Sequence, residues 1–406
     1  MQQRLQELAR ERARALGPDL SMAVIVVDHA TGEVLARVAS ADYFDERRAG
    51  QVDMTEALRS PGSALKPFIY GLAFEDGIAH PETLIEDKPV RFGAYAPENF
   101  DLTFQGTVTA RRALQQSLNV PAVALLDGVG ASRLSARLAQ AGAMLVLPKG
   151  EAPGLAMALG GVGIKLSDLT MLYAGLARGG ATLPLVERSA DGTPQAARRL
   201  LDPVAAWYVG NVLLGSPPPD NAAGGRIAFK TGTSYGYRDA WAVGFDGVRT
   251  IGVWVGRPDG APVAGLVGRT AAAPIVFDAF ARIGHLPGPL PRAPQGALFA
   301  ASHKLPPPLQ RFRPDGAAGG SGPALRIMYP PNGARIELAA SGGKPDPLAL
   351  KIAGGVEPLT VLVNGMPRQA RGGRQTLLVE PDGPGFVRLT VIDAKGAADS
   401  VMVRVQ

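Results

Sequence analysis

Apolar positions fall into three blocks along the chain, and their period changes from one block to the next. The first block opens with a charged stretch, residues 2–16, that puts Leu5 and Leu8 on one side and is stopped by Gly17-Pro18; a helix is expected. Ala23-Val24-Ile25-Val26-Val27 is a buried strand, Glu33 to Val38 is a second, and Asp28 to Gly32 between them makes a hairpin. Polar residues from Ser40 to Thr55 lead to Arg59-Ser60-Pro61-Gly62-Ser63-Ala64-Leu65-Lys66-Pro67, where a turn signal runs into Phe68-Ile69-Tyr70-Gly71-Leu72-Ala73-Phe74. That last stretch is apolar on nearly every side, which predicts a central helix with Ser63 as its cap and Pro67 in its first turn. Residues 76–105 have little periodicity and read as loop with short extended pieces.

From Val108 the pattern is helical, with Ala110, Ala113 and Leu114 on one face, and it runs to Ser117-Leu118-Asn119 with a boundary marked by Pro121. Apolar helical stretches continue through Leu125 and Leu138. A glycine cluster, Gly160 to Gly163, precedes a helix carrying Leu166, Leu169, Leu172, Tyr173 and Leu176 at core spacing. Asp202-Pro203 opens another helix through Trp207 and Val212. Three strands then follow: Arg226 to Thr233, Trp241 to Phe245, and Thr250 to Val255, closed by a helix around Pro274 to Ile283. An α-rich block between two β-rich ones predicts an α+β fold, helices packed on an antiparallel sheet, over residues 20–284.

Residues 285–323 change to Pro, Gly and Ala, including Pro306-Pro307-Pro308 and Gly319-Gly320-Ser321-Gly322, and read as a linker. Beyond it, roughly seven short strand-like runs with an Asn364-Gly365 turn fit an immunoglobulin-like β-sandwich over residues 324–406. The sandwich carries no recognisable chemistry.

The chain has 406 residues, 46% of them hydrophobic and 19% charged, an ordinary globular balance for two or three domains. Its net charge of +6 is scattered, so solvated faces explain it better than a nucleic-acid stripe, while an anionic cell-surface partner stays open. With no cysteine there is no disulfide, thiolate nucleophile or thiolate metal site. The four histidines, His29, His80, His285 and His303, are far apart and form neither a zinc motif nor a triad base. No metal and no cofactor are implied. The first ten residues lack an apolar signal core, and no stretch approaches a membrane span.

Candidate chemistry centres on Ser63 and Lys66. Three residues apart on a helix, they share a face, and the helix start offers unpaired amides and a positive dipole end to a developing oxyanion. The pattern S-x-x-K is weak alone, because composition yields roughly one per chain of this size. Ser341-Gly342-Gly343-Lys344 matches it too, in a Gly-rich loop with no apolar helix behind it. Context separates the two.

Two further motifs stand downstream in fixed order: Ser117-Leu118-Asn119, and Lys230-Thr231-Gly232 with Thr233 behind it. Singly, the first reads as a helix C-cap and the second as a strand ending in a turn. Together, the order Ser-x-x-Lys, Ser-x-Asn, Lys-Thr-Gly resembles the active site of penicillin-binding proteins and serine β-lactamases. The likeness extends to Arg59 to Ser63, Asn99-Phe100, Arg112 to Asn119, Ala158-Leu159-Gly160-Gly161 and Asp239-Ala240-Trp241, which resemble the transpeptidase domain of bifunctional, class A penicillin-binding proteins. The sandwich after a Pro-rich linker is similar to the C-terminal module of the 1C subgroup.

The residue types divide the labour. Ser63 would attack an amide carbonyl, and Lys66 would take its proton once burial or a neighbouring cation brings the amine down from its free value of about 10.4. Lys230 is a candidate for that charge. Ser117 could relay a proton to the leaving amine, and Asn119 could bond both Lys66 and a substrate carbonyl. If residues 229–233 form an exposed strand edge, a peptide could pair beside Thr231, Gly232 and Thr233, with Gly232 allowing close approach and Thr233 offering a hydroxyl to a carboxylate.

The resemblance itself implies more: an oxyanion hole at the Ser63 and Thr233 amides, acyl transfer on peptidoglycan stem peptides ending in D-Ala-D-Ala, and acylation by β-lactams. It implies work at the periplasmic face of the bacterial inner membrane, with other cell-wall synthesis proteins as candidate partners of the sandwich. Such proteins carry a membrane helix and a glycosyltransferase domain ahead of the transpeptidase. Neither is read here, so residues 1–19 are expected to be the remnant of an interdomain linker in an excised chain or a truncated reading frame. A D,D-carboxypeptidase, a serine β-lactamase and a non-turnover β-lactam sensor or cell-wall binding module stay as alternatives. Against the β-lactamase, no persuasive carboxylate to activate water lies between Ser117 and Lys230; Glu151 is the sole Glu before Glu187.

Overall fold

The computed structural model describes residues 1–92, 95–187, 196–220, 222, 224, 226–284, 287–313, 325–337, 340–341, 344–364, 366–368, 371–373, 376–380, 383–394 and 398–406. The chain forms two compact units, Met1–Phe312 and Arg313–Gln406. In chain order the first unit contains helix α1 (Gln2–Leu16), strands β1 (Ser21–Asp28) and β2 (Val34–Val38), helix α2 (Lys66–Glu75), and a short strand pair β3 (Leu84–Asp87) and β4 (Gly106–Thr109). Helices α3 (Ala110–Gln115), α4 (Asn119–Val129), α5 (Ala131–Gln140) and α6 (Leu166–Ala177) follow, then the short pair β5 (Ala181–Thr182) and β6 (Arg198–Arg199) and helix α7 (Pro203–Leu214). Strands β7 (Ala228–Thr233), β8 (Asp239–Phe245) and β9 (Arg249–Gly256) and helix α8 (Ala273–Arg282) complete the frame.

The central sheet is antiparallel, in the order β2-β1-β9-β8-β7. It is covered on both faces, and for that reason its strands read as unbroken apolar runs. Along β1, Ala23, Ile25 and Val27 join the core shared with α2, α4, α6 and α7, while Met22, Val24 and Val26 join the one shared with α1 and α8. Strand period thus sorts one sequence run into two cores. The same alternation governs β7: Ala228 faces the α2 side and Phe229 the opposite one, so Lys230 and Gly232 also face α2. Strand β7 lies at the edge of the sheet.

Two local expectations are corrected. Ser63 is not a helix cap; it lies in a single 3-10 turn, Gly62–Leu65, and α2 starts at Lys66. Pro67 has no N–H to donate to the Ser63 carbonyl, so the Lys66 N–H takes that carbonyl instead, one residue tighter than an α-helix. Likewise Pro121 is not a boundary but sits in the first turn of α4, where a missing N–H costs nothing. The break falls at Ser117, whose φ of 59° turns the chain between α3 and α4.

Residues 1–19 are integral to the first unit: Leu5 and Leu8 of α1 are fully buried against the sheet. The Pro-rich stretch also packs there as far as Phe312. Trp207 Nε1 donates to the Pro291 carbonyl at 3.1 Å, the Tyr208 hydroxyl is bonded to the Leu298 backbone, the Thr83 hydroxyl donates to the Leu309 carbonyl at 2.6 Å, and the Phe312 N–H to the Leu84 carbonyl at 2.8 Å. Backbone carbonyls of this stretch, of Pro291, Leu298 and Leu309, serve as acceptors for side chains packed against it.

The second unit has a four-stranded sheet (Arg326–Tyr329, Leu348–Ala353, Thr376–Val379, Arg371–Gly373) and a five-stranded one (Arg335–Ile336, Ala398–Val405, Gly385–Ile392, Thr360–Val363, Met366–Arg368) around one core. Its strands alternate, Leu348, Leu350 and Ile352 inward, because one face of each sheet meets water. Of the expected Asn364-Gly365 turn, Asn364 has φ 52° and Gly365 lies outside the described residues, as do Gly342 and Gly343 of the second S-x-x-K match.

Candidate active site

The turn carrying Ser63 is pressed onto strand β7 by glycines on both sides of the contact. A Cβ at Gly232 would stand 2.1 Å from the Pro61 carbonyl oxygen, and one at Gly62, whose φ is +53°, 2.2 Å from the Thr233 carbonyl oxygen. Gly232 therefore makes room for the serine turn. Three further contacts pin the turn: Trp241 Nε1 donates to the Ser60 carbonyl at 2.8 Å, the Tyr173 hydroxyl to the Ala64 carbonyl at 2.7 Å, and the Ser60 hydroxyl to the Gly160 carbonyl at 2.7 Å. Ser63 itself is half-buried.

Lys66, one turn on, is fully buried. Its ammonium donates to the Ser117 carbonyl at 2.7 Å, the Leu118 carbonyl at 3.1 Å and Asn119 Oδ1 at 2.6 Å, three acceptors for three protons. Lys230 reaches the same residue from the sheet, its Nζ donating to Ser117 Oγ at 2.8 Å and to its neighbour's carbonyl, Thr231 O, at 2.8 Å. The structure thus gathers Lys66, Ser117, Asn119 and Lys230 into one cluster beside the Ser63 turn. Burial brings the Lys230 ammonium down to about 7. Burial, and then the charge on Lys230, hold Lys66 well below the usual lysine range, while the Asp87 carboxylate works in the opposite direction.

Thr231 and Thr233 are half-buried on the β7 edge. The Thr233 hydroxyl accepts from the Gly268 N–H at 3.0 Å, which leaves its own proton to donate.

Two residues that sequence reasoning gave no role hold the cluster from behind. Asn99 Oδ1 accepts the Asn119 N–H at 2.7 Å, and Asn99 Nδ2 donates to both oxygens of Asp87 at 2.9 Å. Asn99 lies in a stretch already matched by resemblance; Asp87, inside a run of weak periodicity, gave no signal. The Asn119 side-chain amide donates one of its two protons to the Glu98 carbonyl at 2.6 Å. No group of metal-ligating side chains occurs among the described residues.

A buried amine held below the usual lysine range beside a hydroxyl-bearing turn, a second lysine on a shared serine, and a strand at the edge of the sheet form a site suited to acyl transfer on an extended peptide. Comparison with known proteins agrees. The penicillin-binding protein transpeptidase domain matches residues 22–256, and the penicillin-binding protein C-terminus family matches residues 314–405. The chain belongs to the penicillin-binding protein transpeptidase family. It is 45% identical over 280 residues to penicillin-binding protein 1C of Escherichia coli, covering 68% of this chain and 36% of that protein. It is 31% identical over 292 residues to penicillin-binding protein 1B of Vibrio cholerae, covering 64% of this chain and 36% of that protein. The chain spans little more than a third of the length of these curated relatives. The fold matches PonA1 of Mycobacterium tuberculosis, solved in complex with penicillin V, with a TM-score of 0.62 at 22% identity over 73% of this chain and 88% of that one. Among the described residues no helix is long and apolar enough to cross a membrane.

Proposed function

We propose that this chain is a D,D-transpeptidase that forms a serine acyl-enzyme with peptidoglycan stem peptides ending in D-Ala-D-Ala, and that β-lactams acylate the same serine, Ser63. The observation that carries the reading is the convergence of two buried lysines on Ser117 beside the serine turn. The Ser63 oxygen attacks the penultimate carbonyl while its proton passes to neutral Lys66. The tetrahedral oxyanion is met by the amides of Ser63 and Thr233. Ser117 delivers a proton to the leaving D-Ala amine as the C–N bond breaks, Lys66 replacing it. An acceptor amine from a second strand then attacks the ester and gives up its proton to Lys66, which passes it to the Ser63 oxygen as the ester C–O bond breaks. The donor peptide lies along β7, its carboxylate bonded by the Thr231 and Thr233 hydroxyls, with Gly232 reserved for the serine turn.

The test is turnover of a thioester analogue of a stem peptide with and without a D-amino acid acceptor. Transfer to the amine that outpaces hydrolysis supports the transpeptidase. Rapid hydrolysis unaffected by the amine identifies a carboxypeptidase or β-lactamase instead, and stoichiometric acylation without turnover identifies a sensor. Residues 324–406 are proposed as a separately folding module that meets cell-wall components or cell-wall synthesis proteins.

A further inference from the structure

We infer that Asp87 and Asn99 are positioning residues that fix both the place and the charge of the Lys66 amine; the inference rests on the acylation reading above. Asp87 ends β3 with no exposed surface, and Asn99 is 3% exposed. The Asn99 side chain is fully committed: its amide donates to Asp87 Oδ1 and Oδ2 and to the Thr103 carbonyl at 2.8 Å, and its oxygen accepts the first amide of α4, Asn119 N–H. Gln105 N–H adds a bond of 2.7 Å to Asp87 Oδ2. A continuous path therefore runs from Asp87 through Asn99 and Asn119 to the Lys66 ammonium.

The path does two things. It holds the start of α4, and with it the Asn119 side-chain oxygen, Oδ1, on which Lys66 rests. It also keeps a buried carboxylate near the Lys66 amine without touching it: among the described residues Asp87 forms no direct ion pair, and its hydrogen-bond partners are neutral. A direct ion pair would lock Lys66 as an ammonium and abolish its use as a base. With no carboxylate nearby, burial and Lys230 alone would act on it. The charged groups facing Lys66 are Lys230 from β7, which lowers it, and Asp87 from β3, which raises it; the Ser117 and Leu118 carbonyls and the Asn119 amide supply the rest of its shell. Tyr70, on α2, feels the same carboxylate: its buried hydroxyl has no hydrogen-bond partner among the described residues, and burial and then Asp87 hold its proton on.

The experiment measures the acylation rate by a fluorescent penicillin across pH for the full chain and three variants. Asp87→Asn keeps the shape and an acceptor oxygen but removes the charge, so the acid limb, a property of the coupled Lys66 and Lys230 pair, moves to lower pH. The exchange variant Asp87→Asn/Asn99→Asp brings the carboxylate up to Asn119, nearer Lys66, and moves the limb to higher pH. Asn99→Ala lowers acylation on the order of 100-fold at every pH and speeds amide hydrogen exchange in the segment containing Asn119. Profiles that superimpose on that of the parent chain, or unchanged exchange at residues 117–121 in Asn99→Ala, overturn the inference. If the parent chain takes up no penicillin, the acylation reading fails, and the exchange comparison still decides whether Asn99 holds α4.

Discussion

Lys66 and Lys230 hold Ser117 from opposite ends: the first donates to its carbonyl, the second to its hydroxyl. Because Lys230 donates, the Ser117 hydroxyl keeps its own proton to give, which is what a relay to a leaving amine needs. The φ of 59° at Ser117, uncommon for a residue with a Cβ, is the conformation that offers both groups at once.

Burying Lys230 has a consequence for stability. Its folded value of about 7 lies below the 10.5 of an unperturbed lysine, so between those values the folded protein binds fewer protons than the unfolded chain. Stability therefore rises with pH through this window, and the burial penalty is fully present below about 7. Lys66 acts in the same sense. Lys230→Met is expected to flatten the gain in urea midpoint between pH 7 and 9 and to be no less stable at pH 7, while acylation falls on the order of 100-fold. A variant that keeps the parent slope contradicts this.

The glycine contact makes a second prediction. Gly232→Ala forces apart β7 and the serine turn, costing about 1–3 kcal/mol and slowing acylation more than it lowers stability, because Ser63 moves with the turn. Gly154→Ala, whose added Cβ would find only the Ala152 oxygen at 3.8 Å, is the control and leaves both unchanged. Denaturation and acylation rates of the two variants decide it.

A third concerns where the first unit ends. A chain stopping after Arg313 is expected to keep its stability and acylation, whereas one stopping after Gly284 strips Leu305 and Phe312, 2% and 7% exposed, from the core and is expected to unfold at lower temperature. Equal melting temperatures for the two would show that the Pro-rich stretch contributes nothing.

The stretch to Phe312 has the composition of a linker, yet it belongs to the first unit. It packs through backbone carbonyls and isolated apolar side chains, which leave no period in the sequence. The central strands and α6 were legible because continuous or helically spaced apolar runs carry their burial directly. At the site, Ser63, Lys66, Ser117, Asn119 and Lys230 were legible as ordered motifs. The reason for Gly232 was not, since the atom it avoids, the Pro61 oxygen, is 171 positions away. Asp87 was invisible for a related reason: a single buried carboxylate acquires meaning only through Asn99, which the fold brings to it.

The central claim is that Ser63 is the residue acylated, and intact mass after incubation with penicillin, followed by peptide mapping, tests it most directly. The account predicts one penicilloyl group per chain, on the peptide containing Ser63, and none on Ser63→Ala. A label that persists in Ser63→Ala, or maps to another peptide, would contradict it.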